Sequence, residues 1–170
     1  MRIGTRSLLY GAHCIPIHFL MVALAWWRIY GAPYDPRLWC AFLVHDLGYF
    51  GCSDMDGPEG ELHPALGCRI MGRLFGRSWG VFTAAHSRFY ARLLGVEPSL
   101  LCAADKLATA LEPWWLYLPR VWASGELQYY MDGGPARYPD AYPDGAIRDA
   151  RAWFANLQRD ARMKYDKRVY

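Results

Sequence analysis

The sequence predicts an all-α protein, and three observations carry that prediction. No stretch alternates apolar and polar residues over the length of a strand. Apolar segments of helical length recur instead, opened by Pro in first turns and closed by Gly. The 170 residues are 54% apolar and 16% aromatic, which fills one helical core and excludes a disordered chain. No internal repeat is visible, so a solenoid is excluded as well.

The elements follow from this punctuation. Pro16 suits a first turn, so a helix is expected from near Pro16 to Tyr30, stopped by Gly31-Ala32-Pro33. Asp35 reads as an N-cap with Pro36 at the first helical position, giving a helix over Arg37–Asp46. Gly48 to Gly60 is rich in Gly, Asp and Pro and reads as a loop. Helices are then expected over His63–Phe75, Ser78–Leu94 and Pro98–Leu111, the second of them bent or broken near His86. Glu112-Pro113 ends the packed part, and Trp114 to Tyr130 is expected to be helical in pieces. Gly133, Gly134, Pro135, Pro139 and Pro143 make Gly133–Gly145 a loop, before an amphipathic helix over Ala146–Lys164.

Charge and cysteines narrow the function classes. The net charge is +3, yet residues 151–170 carry six basic side chains against Asp160 and Asp166. That local +4 leaves −1 on the other 150 residues, so a nucleic-acid module is excluded. The basic tail reads as a solvated helix face, with attraction of phosphates as the second reading. Five Cys, scattered and without C-x-x-C spacing, argue against a disulfide framework or a zinc knuckle and favour a reducing, cytoplasmic setting. Ser7 to Trp27 is uncharged and long enough for a membrane span, but Gly11, His13, Pro16 and His18 interrupt it. No membrane partner is expected.

The histidines carry the chemistry. His45-Asp46 ends the apolar run Trp39–Val44, where two buried polar groups are costly unless a cation compensates them. His18, His63, His86 and Asp105 each interrupt a further apolar helical stretch. The ordered series His18…His45-Asp46…His63…His86…Asp105 resembles the HD-domain superfamily of metal-dependent phosphohydrolases, over roughly residues 13–112. His63 with Gly67 four residues on, and His86-Ser87 with Asp105 nineteen after His86, are similar to the HD-domain hydrolases of symmetrical dinucleoside tetraphosphates. The loop between Asp46 and His63 is shorter than in that pattern, and residues 113–170 match nothing in it.

The resemblance implies a single HD-type domain over residues 1–170, a bundle of about five core helices plus C-terminal helices. It implies one metal held by His18, His45, Asp46 and Asp105, and a second held by His63 and His86, with Asp46 bridging. Such a mixed imidazole–carboxylate set suits two divalent transition-metal ions, iron or manganese ahead of zinc, rather than calcium or magnesium. Two such ions lower the pKa of a bridging water and polarise a phosphoryl oxygen for in-line attack. Some proteins of the same superfamily use these six ligands for a mixed-valent di-iron pair that activates oxygen, so an oxygenase acting on a small polar or phosphonate substrate is the alternative.

Other residues are assigned around that centre. His13 competes with His18 as first ligand; five residues apart, they point about 140° apart on a continuous helix. His18 is preferred, leaving His13 to line the pocket or cap the helix entrance. Arg88 and Lys106, next to ligand positions, are expected to bind the phosphate and stabilise its leaving charge. Arg69 and Arg92 are weaker candidates for the same role. The loop over residues 53–61 carries Asp54, Asp56, Glu59 and Glu61, and Glu61 is the candidate general acid. Tyr49 is a further substrate contact. Trp114, Trp115, Tyr117 and Trp122 read as core or a homodimer contact, with stacking on a nucleobase as the other use. The expected substrate is a small phosphorylated molecule, a nucleotide or related phosphoester.

Overall fold

Helix follows helix along the chain, and the turns between them carry most of the polar residues that matter. The computed structural model describes residues 1–55, 57–137 and 149–166, and no strand occurs among the described residues. The helices are α1 (Ile3–Tyr10), α2 (Ile15–Tyr30), α3 (Pro36–Val44), α4 (Pro58–Glu61), α5 (Pro64–Phe75) and α6 (Arg77–Ala84). They continue as α7 (Arg88–Leu94), α8 (Leu100–Leu111), α9 (Trp114–Ser124), α10 (Glu126–Arg137) and α11 (Ala150–Tyr165). A 3₁₀ turn, Leu47–Tyr49, follows α3.

Local chemistry sets several of these boundaries. The Asp35 carboxylate accepts from the Arg37 backbone N–H at 2.9 Å, and Pro36 occupies the first turn of α3. Ser87 Oγ accepts from the Tyr90 N–H at 3.2 Å and starts α7, so the long helix expected over 78–94 breaks at His86. Asp149 caps α11 through the Arg151 N–H at 2.8 Å.

The structure corrects three expectations. An additional helix, α1, precedes α2, and the two are bent by 66°. The uncharged run is therefore broken by the Gly11–Cys14 turn. No single helix among the described residues is long and apolar enough to cross a membrane, although the bent pair meets that length and composition together. In α2, His18, Val22, Ala23, Ala25 and Trp26 are buried in the protein itself. α3 stops at Val44 rather than Asp46, and the expected loop over Gly48–Gly60 contains the 3₁₀ turn and opens α4. Gly133 to Arg137 continue α10 despite their weak helix propensity. The rest of the expected loop, with Pro139 and Pro143, lies outside the described residues, as do Ala146 and the tail from Lys167. The amphipathic α11 turns its basic Arg151, Arg159, Arg162 and Lys164 outward, as expected of a solvated face, and buries Trp153 and Phe154. It lies along α8, where Arg162 Nη2 and Gln158 Nε2 donate to the Ala110 carbonyl at 2.9 and 3.2 Å, satisfying an end-of-helix acceptor.

Two main apolar cores result among the described residues, beside a small third one of Leu8, Tyr49 and Cys52. The larger joins α2, α3, α5 and α8 through Val22, Trp26, Phe42, Met71, Leu101 and Leu107. Full burial of each such side chain is worth about 1.5–3 kcal/mol. The smaller joins α9 to α11, where the Tyr117 and Phe154 rings stack at 4.4 Å beside Val121 and Trp153. All five cysteines are free thiols.

Candidate metal centre

The larger core delivers polar side chains to one point at its edge. α2 and α8 pack side by side, which sets His18 opposite Asp105. α3 ends just before His45 and Asp46, so both leave the apolar run at the turn and face the same centre. His63 sits immediately before α5, and His86 lies in the break between α6 and α7. Gly48 lets the 3₁₀ turn close on the His63 backbone; a Cβ there would lie 1.9 Å from the His63 carbonyl oxygen. Gly67 has the same use one helix further on, against the Val44 carbonyl.

The six candidate ligands form two groups that share Asp46, and all are buried. In the first, His18 Nε2 lies 3.1 Å from Asp105 Oδ1, 3.3 Å from His45 Nε2 and 3.3 Å from Asp46 Oδ2. In the second, His63 Nε2 and His86 Nε2 are 3.0 Å apart, each 3.4 Å from Asp46 Oδ1. One carboxylate oxygen thus serves each group.

Hydrogen-bond bookkeeping shows that these atoms suit a cation. His45, His63 and His86 use Nδ1 toward the carbonyl oxygens of Phe42, Gly60 and Thr83 at 3.0, 2.6 and 2.7 Å. A carbonyl only accepts, so each Nδ1 carries the hydrogen and each neutral ring turns a bare Nε2 lone pair inward. Two such lone pairs, on His63 and His86, face each other. Asp46 Oδ2 is buried with no hydrogen-bond partner among the described residues. Acceptors converge where a positive charge belongs, and the donor set of imidazoles and carboxylates fits a divalent transition metal.

The electrostatics agree. Burial alone would raise both carboxyls, but His45 and its neighbouring imidazoles hold Asp46 well below the usual range. Lys106, then His18 and His45, do the same for Asp105. On His45 burial opposes charging, yet the Asp46 and Asp105 carboxylates outweigh it and lift the ring to about 10. Burial wins at His86 and pushes it down to about 4. A metal bound here would take the place of any proton on the inward-facing imidazole nitrogens.

His13 belongs to neither of the two groups, whereas His18 belongs to the first. The place of His13 is set by a buried chain. The Glu126 carboxylate accepts from Ser7 Oγ at 2.7 Å, from the Ala12 N–H at 3.0 Å, from Tyr130 at 3.2 Å, and from Ser124 Oγ. Because the Ser7 hydroxyl hydrogen points to Glu126, Ser7 Oγ must accept from His13 Nδ1, 2.9 Å away. His13 Nε2 is then bare and lies 4.0 Å from Asp46 Oδ2. Sequence reading missed Ser7, Ser124 and Glu126. Glu126 looks like an ordinary acidic residue in the first turn of a helix, and nothing local signals a contact 119 residues away.

The remaining candidates divide. Lys106 Nζ binds Asp105 Oδ2 at 3.0 Å, leaving Oδ1 for the centre. Arg88 donates to the Tyr165 hydroxyl and stands over that ring. Tyr49 stacks on His63 with ring centroids 4.0 Å apart, so it braces that ligand candidate. Glu61 and Arg92 border the centre, whereas Arg69 is exposed elsewhere. Asp54 and Glu59 are occupied in folding their own loop, by the N–H groups of Gly57 and Ser53 at 3.0 and 2.8 Å, and Asp56 lies outside the described residues. Of the four aromatics only Tyr117 reaches the centre's surroundings; Trp114, Trp115 and Trp122 are exposed. Two cavities flank the cluster. One of about 340 Å³ opens over Asp46, His63 and His86, the other of about 310 Å³ over His18 and Asp105.

Replacing one ring tests the division into two groups. His63→Ala is expected to lower the bound metal by about half, because it removes one donor of three from the second group and none from the first. Metal analysis after dialysis, with circular dichroism as the folding control, reads this directly. Comparison with protein-family models, curated proteins and solved structures finds no match for this chain.

Proposed function

We propose that the protein is a metal-dependent phosphohydrolase of the HD-domain type, acting on a nucleotide or related phosphoester with two ions, iron or manganese ahead of zinc. The observation that supports this most is Asp46, with one oxygen in each ligand group, beneath a cavity bordered by Arg88, Arg92 and Lys106. The ions would supply Lewis acidity and an activated water near neutral pH. Arg88 and Arg92 attract the phosphate and hold its non-bridging oxygens, which carry charge in the transition state. Lys106 holds Asp105 in place and adds to the positive field. His13 Nε2 accepts a hydrogen from the attacking water and so aims its oxygen. Glu61, which borders the same cavity, serves the leaving group.

Glu126 acts through Ser7 on His13 and is a positioning residue. Glu126→Gln brings an N–H donor into the chain, which can turn the Ser7 hydroxyl toward His13 and cost the fixed tautomer. The expected result is a fall in kcat of roughly tenfold or more with metal content unchanged. A loss of metal instead would show that the chain holds the ligands and not the water.

The test of the activity is an assay of the metal-loaded protein against nucleoside mono-, tri- and tetraphosphates, cyclic nucleotides and dinucleotides. Release of phosphate or nucleotide from at least one, lost with chelator and restored by iron or manganese, is expected. Substrate-dependent oxygen uptake without phosphate release would overturn this reading in favour of a di-iron oxygenase.

A further inference from the structure

The cavity over His18 and Asp105 has a wall that the ligand-bearing helices do not supply. Tyr117 from α9, Tyr130 from α10, and Trp153, Leu157, Asp160 and Tyr165 from α11 close it. At about 310 Å³ it is at the small end of ligand cavities, with room for one compact group and not for a polymer. It also continues into the neighbouring cavity, since His13, Tyr49, Arg88 and Lys106 border both.

The lining separates two kinds of chemistry. Of the cations, Arg92 borders only the cavity over Asp46, His63 and His86, where a phosphate belongs, while Arg88 and Lys106 border both cavities. The far wall is made of aromatic rings, one leucine and a half-buried carboxylate. Lys164 lines the same wall, but a second phosphate would also meet the Asp160 carboxylate there. An acyl chain would leave that carboxylate without a partner and gain nothing from the tyrosine hydroxyls. A planar aromatic group with N–H donors satisfies both parts of the wall, by ring contact and by hydrogen bonding to Asp160.

We propose that this pouch, built by α9, α10 and α11, seats the nucleobase of the substrate while its phosphate lies at the candidate metal centre. The proposal rests on the phosphohydrolase reading for the phosphate end only. The helices that follow Glu112 then have a function: they select the organic group. Asp160 favours bases that present N–H groups on the edge facing it.

The test uses nucleosides, which carry no bond for a phosphohydrolase to cleave. Calorimetry of the metal-loaded full chain with adenosine, guanosine, cytidine and, as the base-free control, ribose measures the base alone. At least one nucleoside is expected to bind on the order of tenfold more tightly than ribose. Leu157→Trp, which fills the pouch, and Asp160→Asn, which removes its charge without touching the core, are each expected to bring that ratio toward one. Asp160 is half-buried, so its variant keeps the test valid if Leu157→Trp fails to fold. Equal binding of nucleosides and ribose, or a ratio unchanged in Asp160→Asn, would overturn the subsite, even if nucleotides are hydrolysed. Nucleoside binding that is lost in the variants, in a protein that releases no phosphate, would support the subsite and overturn the hydrolase reading.

Discussion

Asp46→Ala is expected to remove bound metal and activity together. Its Oδ2 faces His18 and His45 and its Oδ1 faces His63 and His86, so one substitution withdraws a donor from both groups. Turnover should fall on the order of a thousandfold or more, the scale of losing an electrostatic stabiliser at the reacting centre. The fold should persist, because the substitution also removes a buried carboxylate that otherwise needs compensation. The rise in thermal midpoint that metal gives the wild type should disappear, since stabilisation by a ligand requires its binding. Asp46→Asn keeps the shape and loses the charge, and the same metal analysis applied to it separates the two contributions. A variant that kept full metal content and turnover would show that the centre lies elsewhere.

Gly48→Ala is expected to have the second large effect, through the backbone and not through a donor. The added methyl would lie 1.9 Å from the His63 carbonyl oxygen and 2.7 Å from its carbonyl carbon. Backbone cannot rotate away as a side chain does, so the 3₁₀ turn and the start of α5 must separate. Overpacking of this kind costs about 1–3 kcal/mol, which denaturant unfolding reads. Because His63 and Asp46 move apart with it, metal in the second group should be lost before the first. Gly72→Ala is the control: its Cβ meets only the Gly80 Cα at 3.9 Å, and helix propensity predicts a gain of up to about 1 kcal/mol.

Much of the scaffold was legible because local chemistry dictated it. Asp35-Pro36 starts a helix by satisfying a first-turn N–H and by fixing φ, and neither depends on the rest of the chain. The break at His86 shows in the Ser87 cap for the same reason. The six polar residues that converge at the centre were readable because each interrupts an apolar helical stretch, where an unpaired buried group is expensive.

What stayed hidden depends on contacts distant in sequence. α1 is eight residues long, and its Gly4 packs against Tyr49 and Cys52 from a turn that the sequence alone does not bring near. The link from Glu126 through Ser7 to His13 joins residues on α10, α1 and the turn before α2. Gly133 to Arg137 read as a loop by propensity but continue a helix. The wall of the second cavity comes from α9, α10 and α11, which no motif connects to the centre.

The shared carboxylate is the central claim, and counting metal ions per chain tests it most directly. Protein loaded with iron or manganese and then freed of loose metal should carry two ions per wild-type chain, one in His63→Ala and none in Asp46→Ala. One ion in the wild type, or an Asp46→Ala chain that still holds metal, would contradict a centre built on Asp46.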